Sequence, residues 1–384
     1  MRRFLGFLAA IVLSPVVFAL DPPRPVLLLD RSDHPWAAWV ERQGAVTVGR
    51  VAQWDGEAWK PVGGPLNRDP QESVATVSLT FGPYGTPWAA WGERPLDLTG
   101  VDVGLGLLHV ARWTGGTWAE VGPSPNRSTR TVAERPELRI DSQGRPWVQW
   151  SEITPDFNVD NVYLAVLDAG GWSVIDNGTL TTDVSSSSRS REFALGPGDK
   201  PFLTFSQMVY RHDFQVFAGG WNGTQWDRTG GPLNLDPDAY AAFPSLVLDA
   251  SGVPTVAYLQ ASDGFKLVVK RWTGSTWQLL GTPGSLGARN PKVALAGTST
   301  VLAATEPMVG VTVRVRTNAG WVDLGPGIST PGAFVDTLDL AVDSQANPWV
   351  LWAEDDAQGQ RLGLARWTGV RWEGLTPPPF HPVP

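Results

Sequence analysis

The chain has 384 residues, 42% of them hydrophobic and 18% charged, with a formal net charge of −8 and no cysteine. Without cysteine there are no disulfides, no thiolate metal sites and no lipidated-cysteine anchor. The acidic balance argues against nucleic acid or an anionic membrane as partner, because both select a basic face.

The first nineteen residues read as a secretory leader. Arg2 and Arg3 precede an apolar run over 4–13, and Val17-Phe18-Ala19 offers the small and apolar residues that a signal peptidase reads, so the expected cut follows Ala19. The run is too short to span a bilayer, and no later stretch approaches the ~20 apolar residues that a membrane helix requires. The expected location is outside the cytoplasm: secreted, periplasmic or at the cell surface, with no membrane insertion once the leader is cut. The mature chain loses two positive charges with the leader. It must hold itself together by core size alone, for which its length suffices.

From residue 20 to 376 the chain repeats itself. Pro136 to Glu152 reads PELRIDSQGRPWVQWSE, Pro244 to Gln260 reads PSLVLDASGVPTVAYLQ, and a late unit reads DLAVDSQANPWVLWAE up to Glu354. Seven units align, over about 24–66, 67–125, 126–181, 182–233, 234–286, 287–330 and 331–376. Every unit carries one Trp in register: Trp59, Trp118, Trp172, Trp226, Trp277, Trp321 and Trp372. Five residues earlier stand Trp54, Trp113, Trp221, Trp272 and Trp367, with Leu167 and Arg316 in the other two units. The pairs Trp36 and Trp39, Trp88 and Trp91, Trp147 and Trp150, and Trp349 and Trp352 complete the 20 tryptophans. A pattern that absorbs every Trp is a true internal repeat.

Within a unit the order is constant. A short aliphatic strand A, such as Leu246-Val247-Leu248, runs into a turn, Asp249-Ala250-Ser251-Gly252, where Asp bonds its own backbone and Gly accepts positive φ. Strand B starts at or just after a proline, which a strand tolerates only at its beginning. A loop of variable length precedes strand C, and a four-residue link such as Thr273-Gly274-Ser275-Thr276 leads into strand D. Short links make the strands antiparallel, and no segment sustains a helical period. Four such strands per unit of 45–60 residues define a blade, so the fold class is all-β, a seven-bladed β-propeller. A closed ring leaves no sheet edge exposed. The first unit has its own strand A and the last its own strand D, so closure is expected from packing rather than from a shared strand. The sixth unit is the weakest, lacking the proline and both strand-B tryptophans, yet Glu306 and Trp321 keep its register.

The tryptophans are expected to bind the blades together. Trp272 and Trp277 face each other across a hairpin, a pair worth about 0.5–1.5 kcal/mol beyond the buried area. Arg316 against Trp321 is expected to substitute a cation–π contact. Trp36 and Trp39, three apart on a strand, point to opposite faces. Roughly three-quarters of the indoles are assigned to inter-blade core, leaving the others as possible sugar platforms.

The A–B and C–D links are short and constant, whereas the B–C loops vary: 42–45 is brief, while 94–106 and 153–161 are long. Variable loops on a rigid scaffold carry binding, so function is assigned to the B–C loop face. At the end of strand B every unit has an acid or its amide: Glu41, Glu93, Glu152, Gln207, Gln260, Glu306 and Glu354. These seven are the candidate ligand-binding rim. Two readings stand. In one, each accepts bonds from a neighbouring blade's backbone or from an arginine such as Arg112, Arg271 or Arg366, which fits the exchange of Glu for Gln. In the other, they recognise sugar hydroxyls.

The units beginning at Pro136, Pro244 and Asp339 resemble the repeats of secreted bacterial propellers of the fucose-binding-lectin-like and sialidase-like type. The lectin resemblance implies sugars held between blades by a Glu or Gln, an Arg and an aromatic ring, the rim residues matching the acidic part. Gly115-Gly116-Thr117-Trp118 and Gly274-Ser275-Thr276-Trp277 resemble the end of the sialidase hairpin motif, but its Ser and Asp are missing. Its arginine cluster and its paired Tyr and Glu are not found either. Pro146 to Glu152 resembles streptogramin-lyase propellers, without a placeable catalytic His. The expectation is therefore a carbohydrate-binding or interaction protein with no catalytic residues assigned, no metal and no cofactor, its partner a glycan or an envelope protein. The alternatives are an exported glycosidase- or lyase-type enzyme and an envelope scaffold. Residues 377–384 form a Pro-rich tail expected to be extended.

Overall fold

A computed structural model describes residues 24–95, 106–128, 131–153, 160–175, 188–209, 213–262 and 264–381. Most of the long B–C loops of the second and third units lie outside the described residues. The architecture is seven four-stranded antiparallel sheets, each built from four consecutive strands, with no helix among the described residues. Strand A of each blade lies against strand A of the next around a central axis, and Val26–Leu29 of blade 1 meets Phe334–Val342 of blade 7. The ring thus closes between two complete blades, and no sheet borrows a strand.

The packing follows from two faces of bulk on strand B. Seven apolar clusters fill the seven blade interfaces, one each. Trp36 enters the cluster shared with blade 2 and Trp39 the one shared with blade 7, so a single strand feeds both neighbours. In blade 6 Val301 and Ala303 feed one interface while Leu302 and Ala304 feed the other, which shows why that unit manages without indoles.

All twenty tryptophans are buried or half-buried, and none stands free as a sugar platform. The five hairpin pairs have ring centroids 5.4–5.8 Å apart, tilted or edge to face. The strand-D indoles then reach backwards. Each donates its N–H to a backbone carbonyl of the preceding blade: Trp118 to Val62 at 2.8 Å, Trp172 to Pro123 at 2.6 Å, Trp226 to Ile175 at 3.2 Å, Trp277 to Thr229 at 2.7 Å and Trp321 to Leu280 at 3.0 Å. Trp372 bonds Leu324, and Trp59 of blade 1 bonds Thr376, the residue after strand D of blade 7, at 2.8 Å. Seven rungs of this kind, each worth about 1 kcal/mol net, lie on top of the apolar burial. The expected contact of Arg316 with Trp321 is replaced by a bond from the guanidinium to the Thr317 carbonyl at 2.7 Å, although the two residues are paired in register.

The A–B turns are built by their aspartates. Asp141 accepts the N–H groups of Gln143 and Arg145 through one oxygen and the Trp147 indole through the other, and Asp30 and Asp343 do the same in blades 1 and 7. Neighbouring turns are stapled together, Ser142 to Asp199 and Ser344 to Asp33. Those two aspartates take positive φ, 58° and 60°, in order to reach. At the opposite end, strand A of every blade but the first is interrupted by an irregularity at one equivalent place. The bulge turns Arg135, Phe243 and Asn290 to φ of 52–55°, a conformation bulky L residues avoid.

Candidate functional site

The strand-B acids occupy seven equivalent places, as their spacing demands, and all are buried, exposed by 0–5%. In blades 2, 3, 5, 6 and 7 the connection that enters the blade from strand D of the one before passes over the rim residue. Glu93 accepts the backbone N–H groups of Arg68 and Asp69 at 2.9 and 2.6 Å; Gln260 accepts that of Leu235 at 2.7 Å; Glu306 accepts the N–H and hydroxyl of Ser285. Glu152 holds Arg127 and Thr131, and Glu354 holds both polar groups of Thr330. From below, Trp39, Trp91, Trp150 and Trp352 donate their indole N–H groups to Glu41, Glu93, Glu152 and Glu354 at 2.8–3.0 Å. The two amides now have a cause. Blades 4 and 5 place Phe205 and Tyr258 where the indole sits; Phe has no donor, and Tyr258 spends its hydroxyl on the Leu233 carbonyl. Both amides thus stand where no indole donates; in blade 6, where Ala304 takes that place, Arg314, Thr312 and Ser285 supply the donors that a carboxylate needs.

Burial alone raises the carboxyls of Glu41, Glu306 and Glu354, but bonds from the indoles, hydroxyls and arginines around them overcome it and hold all three below the usual range. The arginines are Arg50 on Glu41, Arg314 on Glu306 and Arg361 on Glu354. Arg112, Arg271 and Arg366 do not reach the acids. They sit at the other end of strand C, over Trp88, on Asp249, and on Glu373 and Trp349 respectively. Six of the rim residues, Glu41, Glu93, Glu152, Gln260, Glu306 and Glu354, therefore carry backbone of the loop face. Their oxygens are committed to it.

A second ring lies on the axis, at one equivalent position of strand A. Ser78 accepts the N–H of Leu138, Glu137 that of Phe193, Glu192 that of Leu246, Ser245 that of Val293, and Asp339 that of Leu27, at 2.8–3.1 Å, each bond joining one blade to the next. Val26 and Lys292 hold the other two places. Lys292 has no acceptor and pairs with Glu192 across the channel. Enclosure pushes the Glu137 carboxyl up to about 7, although solvent reaches 22% of its side chain, and burial raises Asp339 as well. The signal was present in the sequence: a polar residue inside the most aliphatic strand of the unit.

Two further places among the described residues bring aromatic and charged side chains together near solvent. One is a cleft of about 170 Å³ between blades 1 and 2, lined by Asn67, Arg68, Trp91, Thr117, Trp118 and Glu120 among others. Its polar groups are already engaged with one another. Arg68 pairs with Glu120 at 3.0 Å, His109 bonds Glu120 at 2.7 Å, and the Trp118 N–H is spent on Val62. The other is the axial mouth on the loop face between blades 6 and 7. The Arg289 guanidinium lies 4.9 Å over the ring of Phe334, which is 50% exposed. Asp336 sits in the adjoining bulge, its carboxyl raised by burial and by Asp355 and only partly relieved by a bond from Gln360. Gln360 Oε1 has no hydrogen-bond partner among the described residues. The loop face of blades 5 and 6 also exposes Phe243, Phe265, Leu286, Met308 and Val309. Among the described residues no cluster of histidines and carboxylates is arranged to hold a metal ion.

No family model and no curated protein matches the chain. Solved structures do. An ulvan lyase of polysaccharide lyase family PL25, bound to -[GlcA(1-4)Rha3S]-, is 12% identical, covers 90% of this chain and 94% of its own, and gives a TM-score of 0.59. The α-L-arabinanase of Penicillium chrysogenum with arabinobiose is 12% identical over 78% of this chain and 93% of its own, at 0.50. The Aleuria aurantia lectin with Fucα1-6GlcNAc is 10% identical over 80% and 97%, at 0.46, too loose a match to argue from. At these identities the likeness is one of fold: the chain is a seven-bladed β-propeller.

Proposed function

We propose that the chain is an exported carbohydrate-binding propeller that takes its ligand on the B–C loop face, at the axial mouth. The observation that carries this reading is the grouping of Phe334, Arg289, Asp336, Asp355 and Gln360. A sugar presents an apolar C–H face beside a fan of hydroxyls, and it is matched by an exposed ring flanked by a guanidinium and two carboxylates. The mouth has an exposed ring among such groups, whereas in the cleft between blades 1 and 2 the Trp118 N–H, Arg68 and Glu120 are engaged with the protein. Structural neighbours that act on polysaccharides are compatible with the reading but do not carry it. A glycan array with residues 20–384 tests it: discrete ligands are expected, lost by at least tenfold in Phe334→Ala and Asp336→Asn. Silence across neutral, acidic and amino-sugar panels overturns it.

A second reading, an exported glycosidase- or lyase-type enzyme, is favoured by one observation: Glu137 keeps a proton near neutrality in a solvent-reached channel, beside the ion-paired Glu192. Against it, Glu137, Glu192 and Asp339 are each tied to the backbone of the next blade. Turnover of polysaccharide substrates that disappears in Glu137→Gln would favour the enzyme.

A further inference from the structure

In five blades the rim residue at the end of strand B is capped by the connection entering its blade, and blade 1 has to depart from that pattern. Among the described residues Val26–Leu29 is the first strand, and no strand D leads into it. Glu41 is nonetheless capped. His381 donates its backbone N–H to Glu41 Oε2 at 3.3 Å, with its ring Nδ1 at the same distance, and Arg42 donates its own N–H to the His381 carbonyl at 3.2 Å. Phe380 packs into the apolar cluster shared by blades 7 and 1, beside Leu27, Trp39 and Trp349. Thr376 accepts the Trp59 indole exactly as a blade connection does elsewhere, for the rung that closes the ring.

We propose that the C-terminal tail is the missing seventh connection, and that the notch it fills on blade 1 is a peptide-binding site for a proline-led segment with an aromatic anchor, occupied in cis. The chemistry of the segment suits the task. Pro377, Pro378 and Pro379 carry no N–H groups that would need partners and are pre-set to extended geometry, so docking costs little conformational entropy. Phe380 supplies the apolar anchor, and the His381 backbone supplies the donor and acceptor. The cap on Glu41 is longer than the 2.6–3.0 Å bonds from Arg68, Asp69, Leu235, Ser285 and Thr330 in other blades. Among the described caps the clasp therefore has the longest bond, and on this proposal it is the one that opens. The inference stands apart from the glycan reading, because it uses none of the residues of the axial mouth.

The test compares the mature chain with a form ending at Thr376, using a synthetic peptide of residues 376–384 as probe. The truncated form is expected to melt roughly 3–8 °C lower, the worth of one buried phenyl ring and its bonds in a domain of this size. It should bind the peptide one to one and recover the lost stability, while the intact chain, its notch filled, binds at least tenfold more weakly. Should truncation prevent folding, Phe380→Ala in the full chain decides the matter by hydrogen exchange. Protection is expected to fall at least tenfold in Val26–Leu29 and Trp372–Leu375 and to stay unchanged in blade 4. Equal peptide binding by both forms, an unaltered melting temperature, or loss of protection spread evenly around the ring overturns the proposal.

Discussion

Removing the carboxylate of Glu354 tests whether the rim acids hold the loop face or await a ligand. Glu354 is 3% exposed and accepts the Thr330 N–H at 2.9 Å, its hydroxyl at 2.6 Å, the Trp352 indole at 2.8 Å and Arg361 Nε at 2.9 Å. Glu354→Ala leaves those donors facing a void, with a guanidinium deprived of its charge partner. Orphaned buried donors cost about 1–3 kcal/mol each, and breaking a buried ion pair about 3–5 kcal/mol in total. Because Arg361 keeps Asp356 as a second partner, the lower end applies, about 3 kcal/mol. Glu354→Gln keeps the shape and one acceptor but turns an NH₂ toward donors, costing about 1–2 kcal/mol. The reverse exchange, Gln260→Glu, puts a charge where no indole donates and should also destabilise, by about 1–2 kcal/mol. Urea unfolding of the three variants gives the values. A Glu354→Ala protein within 0.5 kcal/mol of the parent (roughly the spread of ordinary surface substitutions) refutes the reasoning and returns these residues to the list of ligand contacts.

Glu137→Gln should stabilise the protein at pH 8 by about 1–3 kcal/mol. The folded carboxyl is pushed up to about 7, so the native state binds the extra proton and stability falls as pH rises from the unfolded value near 4.5 through 7; melting curves at pH 5 and 8 show that slope flattened in the variant. The depressed carboxyls of Glu41, Glu306 and Glu354 act in the opposite sense. Their stability is present above pH ~4.3 and is lost as pH falls through their folded values, so acid unfolding below pH ~4 should be steep in the parent and shallower in Glu354→Gln, by circular dichroism. Gly63→Ala should cost about 1–3 kcal/mol in thermal unfolding: its φ is 81°, and an added Cβ would stand 2.9 Å from Trp113 Cζ3, inside the blade 1–2 interface.

The blades were legible because tryptophan spacing is enforced locally and repeated. The indole that stacks across a four-residue hairpin is the same one that reaches the preceding blade. Blade 6 was recognisable from Trp321 and Glu306 alone, since aliphatic residues fill its strand-B places without changing the register. The rim residues stand at the end of strand B, where their spacing puts them, but their burial was not visible, because what covers Glu93, Gln260, Glu306 and Glu354 comes from connections 21 to 25 residues earlier in the chain. The arginines were misassigned for a related reason: length along strand C decides which end a guanidinium serves. The axial mouth was missed altogether, because Arg289, Phe334 and Gln360 come from three separate strands and the bulge that aims Asp336 breaks the alternation on which strand reading depends. One signal was available. Arg135-Pro136, Phe243-Pro244 and Asn290-Pro291 each place a proline at the bulge, where a residue with no N–H to offer marks the interrupted ladder.

That no sheet borrows a strand has a consequence for how such a chain changes over time. Each blade begins and ends within its own stretch of sequence, so duplication or loss of one stretch adds or removes a whole wedge without tearing another. The start and end of the polypeptide are then free to migrate to any other junction. A version opened between blades 3 and 4, with its present ends joined, should assemble the same wheel.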